Sequence, residues 1–159
     1  MEAIGRHMSS VAVAMRTAYF GADYTVAANL FGNDSRRTSD RISCYGLFID
    51  PSLGRFGMTE GKARASGHSV LMGKRLMTQV GRARGFGETC ALMKILVDAD
   101  SKEILGAALL GLSGDEGDHA PLDVMYAKQP YTVISRAVHI HPTVSELVPT
   151  VLQSLRPLD

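Results

Sequence analysis

The sequence has few of the features that mark secreted or membrane proteins. Among 159 residues there are two cysteines, Cys44 and Cys90, and they form neither a CxxC motif nor a disulfide framework. Such low cysteine usage is typical of a reducing compartment, so we expect a cytoplasmic location. No apolar run approaches the roughly 20 residues that span a bilayer. The apolar stretch at 11–15 is also too short for the core of a signal peptide.

An excess of charge of either sign is also lacking. Lys and Arg together number 17 and Asp and Glu 16, for a formal net charge of +1. This balance provides no electrostatic reason to expect a nucleic acid or an anionic membrane as partner. With 45% apolar and 21% charged residues, the composition is that of a globular protein, and the length is that of one domain.

No nucleotide-binding motif is present in spite of 16 glycines. Gly85-Phe86-Gly87 is followed by Cys90 where a dinucleotide-binding GxGxxG would have its third glycine. The segment 111–114 precedes a predicted helix and resembles an anion-binding turn, but Asp115 and Glu116 would repel an anion. We therefore expect no cofactor to be bound by this chain alone.

Hydrophobic periodicity and turn residues predict an α+β domain, an antiparallel sheet flanked by helices. Its clearest element is a hairpin in which Ala91, Met93, Ile95 and Val97 share one face and 98–101 form the turn. Gly106 in the returning strand predicts close approach of another backbone. The other elements expected before the hairpin are a helix within 11–31 ending at Gly32, a polar loop at 33–41, a strand from 43 that stops at 51–54, a helix capped by Thr59, a strand at 68–78 and a loop at 81–87.

The last third of the chain is predicted to be helical. Ser113 and Glu116 have capping-box spacing and predict a helix that ends at Gln129-Pro130. Thr143 and Glu146 form a second capping box, which opens a final amphipathic helix. Pro149 lies within that helix and predicts a kink or restart there.

Three kinds of chemistry are open to the polar residues. Cys44 and Cys90 lie in predicted strands and are interpreted as small buried hydrophobic residues. His139 and His141 have a spacing that zinc sites use, with His119, Asp118 or Asp115 as further ligands.

Alternatively, His141 and Glu146 form an acid/base pair, in which the carboxylate fixes the tautomer of the imidazole. A purely structural interpretation competes with it: Glu146 closes the capping box and His141 packs at the helix entrance.

Several segments resemble one known family. HIHPTVSELVPT (139–150) is similar to the C-terminal signature of the FAD-dependent pyridine nucleotide-disulfide oxidoreductases, the group of glutathione reductase, dihydrolipoamide dehydrogenase and mercuric-reductase-like enzymes. FIDPSLGRFGMTEGKAR (48–64) and the segment from 81 to 137 are similar in the same order. The resemblance covers about residues 24–157, and it is to the dimerisation (interface) domain of those enzymes.

The resemblance implies a homodimer and a role for two residues. His141 matches the family's acid/base, which works near the redox disulfide of the opposite subunit, and Glu146 matches the carboxylate that orients it. Pro142 matches the rigid joint between them, whereas His139 matches no catalytic position. FAD and NAD(P) are implied only for a full-length parent enzyme.

The chain also departs from the family pattern. The FAD-binding GxGxxG, the Cys-x4-Cys redox pair and the NAD(P)-binding domain are missing, and the chain ends in Arg156-Pro157-Leu158-Asp159 rather than a cysteine pair. We divide the chain into a divergent segment at 1–23, whose first residues resemble a tag, and a dimerisation domain at 24–159. The expected function is self-association without catalysis by this chain alone. The alternative is a stand-alone binding module that has reused the fold.

Overall fold

The computed structural model describes residues 24–158, which form one antiparallel sheet with helices on its two faces. The predicted α+β class is therefore confirmed. Residues 24–31 are helical (α1), and the helix ends before Gly32, as predicted. The part of the predicted first helix at 11–23, like the proposed N-terminal segment at 1–23, lies outside the described residues.

Six strands form the sheet, in the order β1-β2-β5-β4-β3-β6, and each neighbouring pair is antiparallel. The strands are β1 (Cys44–Leu47), β2 (Leu53–Gly57), β3 (Val70–Leu76), β4 (Leu92–Asp98), β5 (Ile104–Leu110) and β6 (Arg156–Pro157). The polar segment at 33–41 is exposed and contains only a 3-10 turn at Thr38–Asp40, as the prediction of a loop requires.

The remaining helices are short, and four of them lie in the connection between β5 and β6. They are α2 (Glu60–Ala65), α3 (Gly81–Phe86), α4 (Gly114–Gly117), α5 (His119–Tyr126), α6 (Thr132–Ser135) and α7 (Val148–Gln153), with 3-10 turns at Met77–Gln79 and Ser145–Leu147. Within residues 24–158, no helix has the length and apolar character needed to cross a membrane.

The main core lies on one face of the sheet, under α5, α6 and α7. Met93, Ile95 and Val97 of β4 are fully buried there, as predicted, whereas Ala91, the fourth residue of the predicted face, precedes the strand and is only partly buried. Their neighbours include Phe56, Ile104, Leu109, Val148, Val151 and Leu152. On the opposite face α2 buries Ala63 against Leu96 and Leu105. Alternation along β4 therefore serves two cores.

Two local predictions are confirmed, the close approach of another backbone at Gly106 and the helix cap at Thr59. A Cβ at Gly106 would lie 2.5 Å from the backbone nitrogen and oxygen of Met58, so β5 and the end of β2 meet where no side chain fits. Thr59 caps α2, because its hydroxyl oxygen accepts a hydrogen bond of 3.0 Å from the Lys62 amide.

Three secondary-structure predictions in the first two thirds of the chain are wrong. Residues 81–86 are the helix α3 and not a loop, because Ala83 is fully buried and Gly87 ends the helix in the left-handed conformation. The segment 51–54 does not simply end a strand, since Leu53 and Gly54 begin β2. Cys90 precedes β4 and is exposed, so it is neither in a strand nor buried, whereas Cys44 is half-buried in β1.

The first predicted capping box is also wrong. Ser113 has a left-handed backbone, with φ of 52°, and its side chain makes no capping hydrogen bond. The predicted single helix is instead divided into α4 and α5 at Asp118. The apolar segment that follows contains α6. Near Pro149 the prediction of a restart is confirmed, because a 3-10 turn precedes α7 and the proline occupies its first turn.

Candidate functional site

The segment 136–147 connects α6 to α7 and carries His141 on the protein surface. Val144 and Val148 anchor the segment in the main core, with 5% and 1% of their surfaces exposed. The side chain of His141 is 79% exposed, whereas that of Glu146 is only 14% exposed. A partly buried carboxylate therefore lies next to an imidazole that reaches solvent.

His141 and Glu146 are in direct contact. Nδ1 of His141 lies 2.7 Å from Oε2 of Glu146, a short and charge-compatible hydrogen bond. With Nδ1 donating to the carboxylate, Nε2 is the ring nitrogen left to exchange a proton. The peptide bond between His141 and Pro142 is cis.

The turn itself is held by a second set of hydrogen bonds. The Thr143 hydroxyl donates to the Ile140 carbonyl oxygen at 2.7 Å and accepts from the Glu146 amide at 3.2 Å. Only this half of the predicted second capping box forms, because the Glu146 carboxylate bonds to His141 and not to the backbone of residue 143. The turn thus contains a direct contact between His141 and Glu146 and one half of the predicted capping box, whereas His141 itself is exposed and does not pack at the helix entrance.

His139 has a different environment. Its Nδ1 lies 3.0 Å from the carbonyl oxygen of Ser145, so the ring braces the start of the 3-10 turn at Ser145–Leu147. Among residues 24–158, no three His, Cys, Asp or Glu side chains are placed to hold a metal ion. Within these residues, a zinc site at His139 and His141 would therefore lack further ligands.

The glycine-rich segment 81–87 offers no cradle for FAD or NAD(P). It forms α3 and its left-handed end at Gly87, and the backbone amides of Gly87 and Glu88 are bonded to carbonyl groups of the helix. Those amides are unavailable to a phosphate. The glycine-rich segment 81–87 therefore provides no phosphate cradle.

One residue of chemical interest was considered only as a metal ligand. Asp118 lies between α4 and α5 and is buried, and neither of its carboxyl oxygens has a hydrogen-bond partner. No pattern in a single sequence distinguishes this aspartate from its exposed neighbours, because its burial depends on how α4 packs on β2.

Comparison with known proteins shows that the sequence of this chain is similar to part of several enzymes. The sequence pattern of the family described as "Pyridine nucleotide-disulphide oxidoreductase, dimerisation domain" matches residues 44–152. The chain is 34% identical over 126 residues to the probable pyridine nucleotide-disulfide oxidoreductase RclA of Escherichia coli, covering 78% of this chain and 29% of RclA. It is 33% identical over 103 residues to the dihydrolipoyl dehydrogenase of Bacillus subtilis, covering 64% of this chain and 22% of that enzyme.

Solved structures show the same similarity. The HOCl-induced flavoprotein disulfide reductase RclA from Escherichia coli superposes with a TM-score of 0.77 at 32% identity, over 82% of this chain and 30% of that one. LpdA from Mycobacterium tuberculosis has a TM-score of 0.66 at 11% identity, over 76% of this chain and 26% of that one, which shows a shared fold. The chain thus spans less than a third of the length of each of these relatives.

Proposed function

Because this chain belongs to the dimerisation-domain family of the pyridine nucleotide-disulphide oxidoreductases, we propose that it forms a two-fold homodimer and supplies His141 and Glu146 as an acid/base pair. FAD and NAD(P) are held by other domains of a full-length parent enzyme. By itself the chain carries out no redox turnover in this proposal, because its sequence contains no GxGxxG nucleotide-binding motif and no Cys-x4-Cys redox pair.

The observation that supports the pair most directly is the hydrogen bond of 2.7 Å between His141 Nδ1 and Glu146 Oε2. The carboxylate stabilises the imidazolium and selects the Nδ1–H tautomer of the neutral ring. Nε2 then takes a proton from a redox thiol of the other subunit and returns it in the reverse step. Exposure of the ring is compatible with this role, because the donor must come from another subunit.

Self-association is supported by apolar surface beside the same turn. Val138 is 98% exposed and Ile140 is 81% exposed, on either side of His139. Large exposed apolar side chains next to a polar motif are typical of a contact surface. In a two-fold dimer the same patch on both subunits is covered by isologous contacts.

The tautomer of His141 tests the pair. In the neutral wild-type ring, long-range ¹H–¹⁵N spectra should show the proton on Nδ1. Glu146→Ala should remove this preference, whereas Glu88→Ala, which removes an exposed carboxylate elsewhere, should leave it unchanged. A wild-type ring protonated on Nε2 would contradict the proposed orientation.

The mass in solution tests self-association separately. Light scattering coupled to size exclusion should give twice the chain mass of 17.1 kDa. A monomer at all concentrations would contradict the dimer and would favour the alternative of a stand-alone binding module.

A further inference from the structure

The sheet face that carries α2 is only partly covered within residues 24–158. Its core cluster is small and consists of Ala63, Leu96 and Leu105, with a few partly buried neighbours. Beyond this cluster, the strand register places two rows of side chains on the same face, and neither row belongs to a core cluster. The His141 turn does not use this surface, because Val144 and Val148 pack into the core on the opposite face.

The first row, the leucine row, contains one leucine on each of five neighbouring strands. Register pairs connect them in the order Leu47, Leu53, Leu110, Leu92 and Leu76. Met93 and Leu109, which adjoin two of them along the chain, are buried in the main core, so the leucines point to the other face. Leu76 is 47% exposed and the other four are half-buried. Because strands lie about 4.8 Å apart, the leucine row is an apolar strip about 19 Å long.

The second row, the basic row, lies two residues away along each strand. In the same strand order it consists of Tyr45, Arg55, Ala108, Lys94 and Lys74. Lys74 and Lys94 are register partners, and like charges directly opposite each other are unfavourable. Lys94 pairs with Glu60 of α2. Among the described residues, neither Arg55 nor Lys74 has an acidic side chain within ion-pair distance.

A cleft of about 270 Å³ lies within the basic row. Ala108 lines it between Arg55 and Lys94, because it is the register partner of both. The cleft is open to solvent, and the Lys94 side chain is 30% exposed. Each cation has further N–H donors, since guanidinium and ammonium groups carry several and each makes a single side-chain hydrogen bond here. A carboxylate that enters the cleft therefore meets donors and positive charge on both sides.

We propose that this surface docks an amphipathic helix of a partner protein. Apolar side chains of the helix, spaced at i, i+3, i+4 and i+7, cover the leucine row. Acidic side chains on one flank of the helix face the basic row, with one carboxylate in the cleft between Arg55 and Lys94. A helix of about 13 residues has the length of the leucine row. Burial of the apolar strip stabilises the complex, and the charges set the orientation of the helix.

Charge favours this occupant over two others. Residues 1–23 contain Glu2 and Asp23 but also Arg6 and Arg16, so they have no acidic excess. A second copy of the chain offers the basic row no complement from the same surface, because neither row contains an acidic residue. An acidic helix of another protein matches both rows.

A synthetic peptide tests the docking surface in the full chain. It has about 14 residues, with leucines at the apolar positions and glutamates on the flanks, and a matched peptide has lysine in place of each glutamate. The acidic peptide should cause saturable ¹H–¹⁵N shifts confined to β1–β5 and α2. The basic peptide should bind at least about tenfold more weakly, because its charges meet the basic row.

Charge reversal on the protein makes the test specific. Lys74→Glu should weaken binding of the acidic peptide by about tenfold. It should not lower the unfolding temperature, because the new carboxylate lies opposite Lys94. Lys128→Glu reverses an exposed charge after α5, and as the matched control it should bind as the wild type does.

The leucine row is tested in the same way. Leu76→Gln should weaken binding of the acidic peptide by about fivefold, because less apolar surface is buried. Phe86→Gln replaces an exposed apolar residue on α3 and should leave the affinity unchanged. Thermal unfolding of each variant separates a loss of binding from a loss of structure.

The proposal is overturned if the acidic peptide causes no saturable shifts, if the basic peptide binds as tightly, or if Lys74→Glu keeps wild-type affinity. Two results for the chain alone would also overturn it. NOEs between methyl groups of the leucine row and residues 1–23 would show that the chain covers this surface itself. Shifts on this face that follow the chain concentration would show that a second copy covers it.

Discussion

The carboxyl group of Asp118 is held in surroundings that favour its neutral form. It is 6% exposed and has no protein donor, and Asp115 lies nearby. Burial and that neighbouring charge raise its pKa from 3.8 to about 7. Because the unfolded chain imposes no such constraint, the proton is bound more tightly by the folded protein.

This difference predicts a dependence of stability on pH. The contribution of Asp118 is fully present below about pH 4 and is lost as the pH rises to about 7. The loss amounts to at most about 4 kcal/mol, and no more is lost above that pH. The free energy of unfolding, measured with urea between pH 4 and pH 8, should therefore fall more in the wild type than in Asp118→Asn.

Asp123→Asn serves as the control and should keep the wild-type decline, since Asp123 is exposed. The other described acids with shifted pKa values do not produce this signal. The pKa of Asp98 is lowered, mainly by the Asp100 amide, and the pKa of Glu60 is lowered by Lys94. Parallel curves for the wild type and Asp118→Asn would contradict the buried state of Asp118.

Some of the site residues could be predicted from the sequence, and others could not. The spacing of His141 and Glu146, together with the family resemblance, was enough to single them out as a pair, and the structure brings their side chains into contact. Asp118 was named only as a candidate metal ligand. Its burial depends on the absence of a side chain at Gly54, which is distant in sequence.

Among the secondary-structure elements, the strands pack so closely that glycine is required at particular positions. The backbone of Met58 lies against Gly106, where β5 passes the end of β2. Gly61, in contrast, lies on the exposed side of α2, and a Cβ there would meet only the Thr59 hydroxyl oxygen, at 3.9 Å. Packing therefore requires glycine at position 106 but leaves room for a side chain at position 61.

The same substitution should have opposite effects at these two positions. Gly106→Ala should lower the free energy of unfolding by about 2 kcal/mol or more, because the new methyl group overlaps backbone atoms. Gly61→Ala should raise it by about 0.5 kcal/mol, because alanine favours the helix. Urea unfolding of both variants tests the pair, and equal effects of the same sign would contradict the packing described.

Local signals determined which elements were predicted correctly. Alternation in the hairpin and the Thr59 cap are properties of adjacent residues, and both predictions were confirmed. The helix α3 was missed because Gly81 and Gly85 disfavour a helix, while the burial of Ala83 that stabilises it comes from the tertiary structure. Ser113 has the sequence of a cap, but its backbone is left-handed and its side chain makes no capping hydrogen bond.

For the molecule as a whole, the proposed dimer makes the exposed apolar residues beside His141 part of a contact. Replacing both Val138 and Ile140 by Asp should halve the mass measured by light scattering, because charges would be buried at the contact. Phe86→Asp, a charge introduced on α3 at a residue that is also exposed, should leave the mass unchanged. A double variant with undiminished mass would exclude this surface as the contact.

The proposed lack of independent turnover is tested with NADH or NADPH, added FAD and an aromatic disulfide. The chain should oxidise neither nucleotide above background, because its sequence contains neither a GxGxxG nucleotide-binding motif nor a Cys-x4-Cys redox pair. A dihydrolipoyl dehydrogenase provides the positive control. Turnover that scales with the concentration of this chain would show that it acts as an enzyme by itself.

The sequence alone determined the α+β class, the hairpin and its buried face, the candidate pair His141 and Glu146, and the family resemblance. These properties follow from neighbouring residues and short motifs, and they do not require knowledge of distant contacts. The tertiary structure decided the helix at 81–86, the left-handed turn at Ser113 and the isolation of the Asp118 carboxyl group. Each of these depends on which distant backbone or side chain shares the same space, and packing, not local propensity, sets that outcome.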